Sequence, residues 1–246
     1  MLPDIFWEIH TGLPREGPGD NDSTRRAYGM ADGLPPNPRI LDIGCGPGMQ
    51  TLELANVSGS FVTALDLHLP FLQELRGRAT TNGFAAQIAT VNASMSALPF
   101  QEASFDLIWS EGAMYFLGFR EALSRWQCTL APHGYIVVTE PCWLKPDPPD
   151  EVLSLFADYP AMTTAANWLP VIAAAGYETV GYFTLSEAAW WDDYYTPMAV
   201  LLEHLRQRHQ EDTAALSVIA EHDREIEMYR KYSAYYGYVF FVLRLP

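Results

Sequence analysis

The residues best placed to do chemistry lie between Asp42 and Gln50. A short apolar run, Ile40-Leu41-Asp42-Ile43, carries one acid and breaks into Gly44-Cys45-Gly46-Pro47-Gly48, and an amphipathic stretch, 49–57, follows at once. This pattern predicts a buried strand, a tight turn and a helix start. Glycines admit positive φ and let a ligand approach the main chain without a Cβ in the way, and a helix start presents unpaired N–H groups. The turn is therefore a seat for a polar small molecule. Its G-x-G-x-G spacing differs from the G-x-G-x-x-G of dinucleotide sites. Asp42 is a poor neighbour for a pyrophosphate and a good one for an ammonium group. The run 61–66 reads as a second strand ending in Asp66, about 20 residues on, where an acid can hold ribose hydroxyls.

Three further groups are candidate general bases: His10, Glu111 and Glu140. Glu111 and Glu140 follow or end runs that read as strands, and open parallel sheets bind ligands at the carboxyl ends of strands. The alternative for Glu111 is a first-turn helix acid. The six histidines form no H-x-E or H-x-x-x-H pair, so no metal site is expected. The three cysteines form no C-x-x-C and no disulfide framework, which suits a reducing cytoplasm. Cys45 reads as a small residue in a tight turn. A net charge of −15 repels phosphate backbones and anionic lipid, so neither nucleic acid nor membrane is an expected partner. A small-molecule substrate is left.

The elements that must position these groups fit one α/β domain with insertions in 246 residues. Residues 1–38 form a cap segment, with an amphipathic piece at 5–10, a loop at 12–22 and a short helix at 23–30 capped by Asp22 or Ser23. The first seven residues lack the pattern of a signal peptide. Residues 39–246 form the main domain. Helices are expected at 49–57, 70–82, 119–130, 151–159 and 169–175. Strands are expected at 87–92, 104–110, 135–140, 178–185 and 238–243, with a turn at 131–134 and a loop at 141–150. The segment 186–236 is a helical, aromatic insertion before the last strand, with helices at 198–208 and 212–236. It reads either as a hairpin or homodimer interface, or as a pocket wall that excludes water. Tyr115, Trp143, Trp190, Tyr194 and Tyr195 are the candidate pocket residues.

The ordered set I-L-D-I-G-C-G-P-G (40–48), A-L-D (64–66), A-S-M-S-A-L-P-F (93–100), S-F-D-L-I (104–108) and A-P-H-G (131–134) resembles the class I S-adenosylmethionine (SAM) methyltransferases, near the ubiquinone/menaquinone-type small-molecule group. The stretch I-W-S-E-G-A-M-Y-F-L-G-F (108–119) and the opening G-L-P-R-x-G-P-G (12–19) are similar to a bacterial subgroup of these enzymes, which names no acceptor. The resemblance implies a doubly wound, seven-stranded, mostly parallel sheet with an antiparallel last strand, and SAM as cofactor. Gly44, Cys45 and Gly46 would run along the methionine and ribose, Asp42 and the Ser110 carbonyl would face the amino group, and Gln50 the carboxylate. Asp66 would take the ribose hydroxyls and Leu67 would pack on adenine. Ser94 and Met95 would bracket the adenine edge, Ser94 standing where the family has an acid. The implied reaction is methyl transfer to a small acceptor, with O-, N-, S- and C-methylation all open. The alternatives are a non-catalytic SAM-binding scaffold that uses the aromatic insertion as an interface, and a nucleotide-dependent oxidoreductase, which the glycine spacing, Asp42 and the L-P-F segment oppose.

Overall fold

A strand buried at all four positions must be covered on both faces, and β1 (Ile40–Ile43) is such a strand. In the computed structural model, which describes residues 3–246, β1 pairs in parallel with β2 (Val62–Asp66) and β4 (Phe105–Ser110). The parallel sheet extends to β3 (Ile88–Asn92) beside β2 and to β5 (Leu130–Trp143) beside β4. β8 (Tyr236–Arg244) then runs antiparallel between β5 and β7 (Glu178–Thr184). The order is β3-β2-β1-β4-β5-β8-β7, and the two-residue β6 (Thr163–Thr164) pairs with the far end of β5. This is the expected doubly wound sheet. The residues that could do chemistry lie at the carboxyl ends of β1, β2, β4 and β5.

Helices α3 (Met49–Ser58), α4 (Leu69–Thr81), α5 (Phe119–Trp126) and α7 (Ala165–Ala174) connect the strands. Each buries the face its spacing dictates. In α5, for example, Phe119, Ala122, Leu123 and Trp126 are buried, an i, i+3, i+4, i+7 stripe.

The structure departs from the sequence expectation in four places, each with a local cause. Residues 131–134 do not end a helix. They form a bulge inside β5, where the pairing jumps from Phe105↔Leu130 to Leu107↔Tyr135 and His133 takes φ +63°. β5 also runs on through Pro141–Trp143 because β8 pairs with it to the end. Helix α2 (Asn21–Met30) is capped by Asp20, whose Oδ1 accepts the Ser23 N–H at 2.6 Å, rather than by Asp22 or Ser23. Helix α7 starts at Ala165 under a Thr164 cap and accommodates Pro170 inside it.

The segment after β7 folds into α8 (Ala188–Trp190), a π-turn over Trp191–Tyr195, α9 (Thr196–Arg208) and α10 (Thr213–Tyr232). Helix α1 (Asp4–His10) packs against it. Ile5, Ile9 and Leu13 share a hydrophobic cluster with Met198, Leu202, Leu205, Ala215 and Ile219. Trp190, Tyr194, Tyr195, Tyr229 and Tyr236 are buried in the same cluster, so a pairing of two copies through this segment would have to use other residues.

The N-terminal segment is fixed to the sheet by a buried ion pair. Arg15 Nη1 donates to Glu111 Oε2 at 2.9 Å, with both side chains under 5% exposed. Glu111 Oε1 accepts from Thr24 Oγ1 at 2.9 Å and from Trp109 Nε1 at 2.8 Å. Removing one partner of such a pair leaves a buried charge without compensation. Arg15→Ala is therefore expected to lower stability by about 3 kcal/mol or more, read from urea unfolding. A loss below about 1 kcal/mol, the value of an exposed pair, would show that this contact does not hold the segment.

Candidate functional site

The turn after β1 is built by its glycines. Gly44, Gly46 and Gly48 have φ of +71°, +52° and +88°. A Cβ on Gly44 would strike the Ala113 Cβ, and one on Gly48 would strike Leu75. These two glycines thus allow the turn to close on the β4 loop and on α4. A Cβ on Gly46 would point at Glu16, 3.5 Å from its Cγ. The Leu65 carbonyl accepts the N–H groups of Gly44 (2.8 Å) and Cys45 (3.1 Å). Cys45 is buried, and burial pushes its thiol well up. Gln50 does not reach outward with its amide nitrogen, which donates to the Cys45 carbonyl at 3.0 Å and braces the turn.

Asp66 is aligned by backbone. Its Oδ2 accepts the Gly46 N–H at 2.9 Å and its Oδ1 the His68 N–H at 2.8 Å. Each oxygen keeps capacity for one more donor. Asn92, opposite Asp66 on β3, donates from Nδ2 to the carbonyls of Asp66 (3.1 Å) and Leu67 (2.8 Å). Leu67 is 72% exposed. Met95 reaches back toward Gly44, and its carbonyl accepts from Trp126 Nε1 at 2.9 Å. Ser94 Oγ lies 2.8 Å from Ser96 Oγ and accepts the Ser96 N–H. Beneath the turn, Asp42 is fully buried. Its Oδ2 accepts from Thr51 Oγ1 at 2.6 Å, while Oδ1 has no partner. Burial raises its pKa to about 7, against the lowering effect of the Thr51 bond. Ser110, also fully buried, donates its hydroxyl to the Ile43 carbonyl at 2.9 Å.

Of the three candidate bases, Glu111 has both oxygens engaged by Arg15, Thr24 and Trp109. Glu140, at 0% exposure, accepts from the Tyr159 hydroxyl on Oε1 and has no partner on Oε2. Burial pushes it up to about 8, with the Tyr159 bond acting the other way. Tyr115 and Tyr238, both half-buried, lie near Glu140. Tyr194 is buried beside them. The Tyr195 hydroxyl donates to Glu225 at 3.0 Å. Trp190 stacks on Tyr229 at 4.0 Å, inside the insertion's core. Trp143 packs edge-on against Phe156 and donates to the Met162 carbonyl.

His10 belongs to a chain of side chains whose polarity can be deduced. His222 Nδ1 faces the Val218 carbonyl at 2.8 Å and must carry a proton to bond there. In the neutral ring, His222 Nε2 is then an acceptor, so His10 Nε2, 3.2 Å away, is the donor. His10 Nδ1 is left as an acceptor, and Glu16 Oε2, 2.6 Å from it, must be protonated. The environment agrees. Burial, reinforced by Glu74, raises Glu16 to about 9, and burial lowers His10 to about 4. Glu16 Oε1 is buried without a partner.

Thr51, Asn92, Glu16, His222, Tyr159, Glu225 and Tyr238 escaped the sequence reading. Asn92 was within reach, because it ends the third strand as Asp66 ends the second. The others meet their partners only through tertiary structure.

The pH dependence of stability follows from these shifts. Glu16, Glu140 and Asp42 have folded pKa values of about 9, 8 and 7, above their ordinary values of 4.5, 4.5 and 3.8. Each contributes stability that is full below its ordinary value and is lost as pH rises through the folded one. His10, depressed from 6.5 to about 4, contributes above 6.5 and loses its contribution as pH falls through 4. Above pH 6.5 only the carboxyl losses act, so Tm is expected to fall steadily to pH 9, and Glu16→Gln to flatten the upper part of that fall. Thermal unfolding across this range checks it, and a Tm that rises toward pH 9 would contradict it.

Comparison with known proteins places this geometry. Residues 40–134 match the family model described as a methyltransferase domain. A malonyl-[acyl-carrier protein] O-methyltransferase of Salmonella typhimurium is 38% identical over 104 residues, covering 42% of this chain and 39% of that enzyme. A glycine/sarcosine/dimethylglycine N-methyltransferase of Actinopolyspora halophila is 32% identical over 143 residues, covering 54% of this chain and 25% of that enzyme. The chain thus spans well under half the length of either relative. The whole fold superposes on a SAM-dependent methyltransferase of Geobacter sulfurreducens, solved in complex with S-adenosyl-L-homocysteine, with a TM-score of 0.85 at 22% identity and coverage of 100% and 99% of the two chains. Residues 40–134 thus match a methyltransferase domain, and the sheet built around β1 has the fold of a SAM-dependent methyltransferase.

Proposed function

We propose that this protein binds SAM across the glycine turn and Asp66 and transfers its methyl group to a small molecule held in the chamber between β4, β5 and the helical insertion. The observation that carries the reading is Asp66, whose two oxygens are each fixed by one backbone N–H and each keep room for one hydroxyl donor. A vicinal diol such as ribose fits that arrangement.

The remaining seat suits the same ligand. The main chain at Gly44, Cys45 and Gly46 lies along the methionine and ribose. The exposed Leu67 and the side chain of Met95 offer apolar contact to adenine, and the Ser94 hydroxyl offers an acceptor at its edge. Asp42 Oδ1, buried and unpartnered, supplies negative potential where an ammonium group belongs, together with the Ser110 carbonyl. Gln50 braces the turn, and its amide oxygen remains to orient the ligand's carboxylate end through water. When bound, SAM supplies an electrophilic methyl carbon on a positive sulfur.

The protein's own work is alignment, exclusion of water and proton handling. Trp7 stacks on His68 at 3.8 Å and lies edge-on to Phe71, which lays α1 over the start of α4 next to Asp66. The Glu16–His10–His222 chain holds a proton at Glu16 Oε2, beside the turn. Glu140 presents a free carboxyl oxygen to the acceptor side. Glu111 acts as an anchor for the cap segment, and the three free thiols, Cys45, Cys128 and Cys142, suit the cytoplasm. No helix among the described residues is long and apolar enough to cross a membrane. A purely scaffolding role is not favoured, because it gives no reason for three buried carboxyl groups with unpartnered oxygens around one seat.

Calorimetric titration with S-adenosylhomocysteine, with NAD as control, tests the reading. The first is expected to bind and the second not. Asp66→Ala should weaken binding at least tenfold, about 1.4 kcal/mol. An unchanged affinity would remove Asp66 from the ribose contact, and binding of NAD alone would overturn the proposal.

A further inference from the structure

Six polar groups beyond the glycine turn come from separate parts of the chain. Tyr115 follows β4, Glu140 lies on β5, Tyr159 follows α6 (Asp150–Leu155), Tyr194 sits in the π-turn, Glu225 lies on α10 and Tyr238 on β8. The Tyr159 hydroxyl bonds Glu140 and its ring lies 6.2 Å from that of Tyr115; burial raises the phenols, and the nearby carboxyls raise them further. The carboxyl groups are not balanced. Among the described residues no Lys or Arg pairs with Glu140, Glu225 or Glu16. The two nearby guanidinium groups are engaged elsewhere: Arg15 with Glu111 and Asn21, and Arg78 with Glu74 and the carbonyls of Leu13 and Pro14. His10, by the polarity of its chain, is neutral.

An acidic lining is not a site on its own account. Here it comes with a second observation. Glu140 is at 0% exposure, and its Oε2 has no hydrogen-bond partner although Oε1 has one. A buried carboxyl oxygen left without a partner costs free energy that a ligand would recover. An anionic acceptor could bond only to phenol hydroxyls and to Glu140 in its protonated form, with no cationic group to balance its charge. A cation would complete Glu140 and would lie against the negative faces of tyrosine rings.

We propose, on the basis of the methyltransferase reading, that the acceptor is a small aliphatic amine held as an ammonium ion by Glu140 Oε2 among Tyr115, Tyr159 and Tyr238. The transfer then balances as follows. The ammonium N–H proton passes to the Glu140 carboxylate and leaves a free amine. The nitrogen lone pair forms the new N–C bond to the methyl carbon as the C–S bond breaks, and the electron pair of that bond stays on sulfur. The positive charge lost from sulfur reappears on nitrogen, inside a lining able to hold it. Tyr159, Tyr115, Tyr238 and Cys142 are the titratable groups facing Glu140. None of them carries positive charge, so the carboxyl group is held up to about 8 until a cation arrives. Entry of a permanent cation at pH 7 should therefore expel a proton.

Tetramethylammonium and pivalate, a cation and an anion of similar size, are the probes. Each is titrated into the full chain with and without S-adenosylhomocysteine, in buffers of different ionisation enthalpy. Tetramethylammonium is expected to bind with release of about one proton per site, and pivalate at least tenfold more weakly. Glu140→Gln should weaken tetramethylammonium at least tenfold and leave the S-adenosylhomocysteine affinity as it was, which also shows that the variant is folded. Preferred binding of pivalate, or tetramethylammonium binding indifferent to Glu140→Gln and without proton release, would overturn the amine assignment. Failure of S-adenosylhomocysteine to bind would instead count against the methyltransferase reading, and the amine site would still be decided by the titrations without it.

Discussion

Glu111 holds the parts of this molecule together. Its two oxygens collect a guanidinium from the cap segment, a hydroxyl from α2 and an indole N–H from the strand that leads into it. Because Arg15 is pinned there, its neighbour Glu16 is delivered over Gly46, and α1 is led away across the start of α4. A carboxylate buried this deeply is tolerated only when paired and hydrogen-bonded, and the three donors meet that condition. The consequence for function is one of position. The ion pair does no chemistry in this account, but it decides which side chains look down on the glycine turn.

The other buried carboxyl groups show the opposite arrangement. Asp42, Glu16 and Glu140 each have one oxygen engaged and one without a partner. A chain selected for stability alone would be expected to pair such groups or replace them. Their placement argues for ligands, since Asp42 and Glu16 lie at the glycine turn and Glu140 on β5, and the engaged oxygen in each case fixes the direction of the free one. The relatives differ among themselves on this point. One is a malonyl-[acyl-carrier protein] O-methyltransferase and another a glycine/sarcosine/dimethylglycine N-methyltransferase. The family-model match ends at residue 134, and the later part of this chain has to be read on its own charges.

That division also explains what could be read from the sequence. The turn, Asp42 and Asp66 were legible because their geometry is local: a strand, three glycines and a helix start within ten residues, then one more strand. The order of the sheet followed from the same repeated unit. Residues 131–134 misled, since Pro132 and Gly134 are turn residues and nothing nearby reveals that β8 arrives from a hundred residues on to keep the strand going. Glu111 looked like a base because its place at the end of β4 was visible and Arg15, 96 residues earlier, was not. His222 was hidden more completely. It sits in a polar run of α10 and meets His10 across a separation of 212 residues.

The His10 chain shows how little of a titration state resides in the titrating residue. Glu16 holds its proton because His10 Nδ1 needs a donor. His10 needs one because its other nitrogen must donate to His222, and His222 cannot reverse because a helix carbonyl, Val218, accepts from its Nδ1. Each link is an ordinary hydrogen bond, yet together they carry the orientation of one backbone dipole on α10 to a carboxyl group beside the glycine turn. A change in the seating of α10 against α1 would therefore alter the charge at that turn without touching any residue in it. Helices α1 and α10 and the proton beside the glycine turn are for this reason parts of one device, and the shared hydrophobic cluster of α1, α9 and α10 keeps them in step.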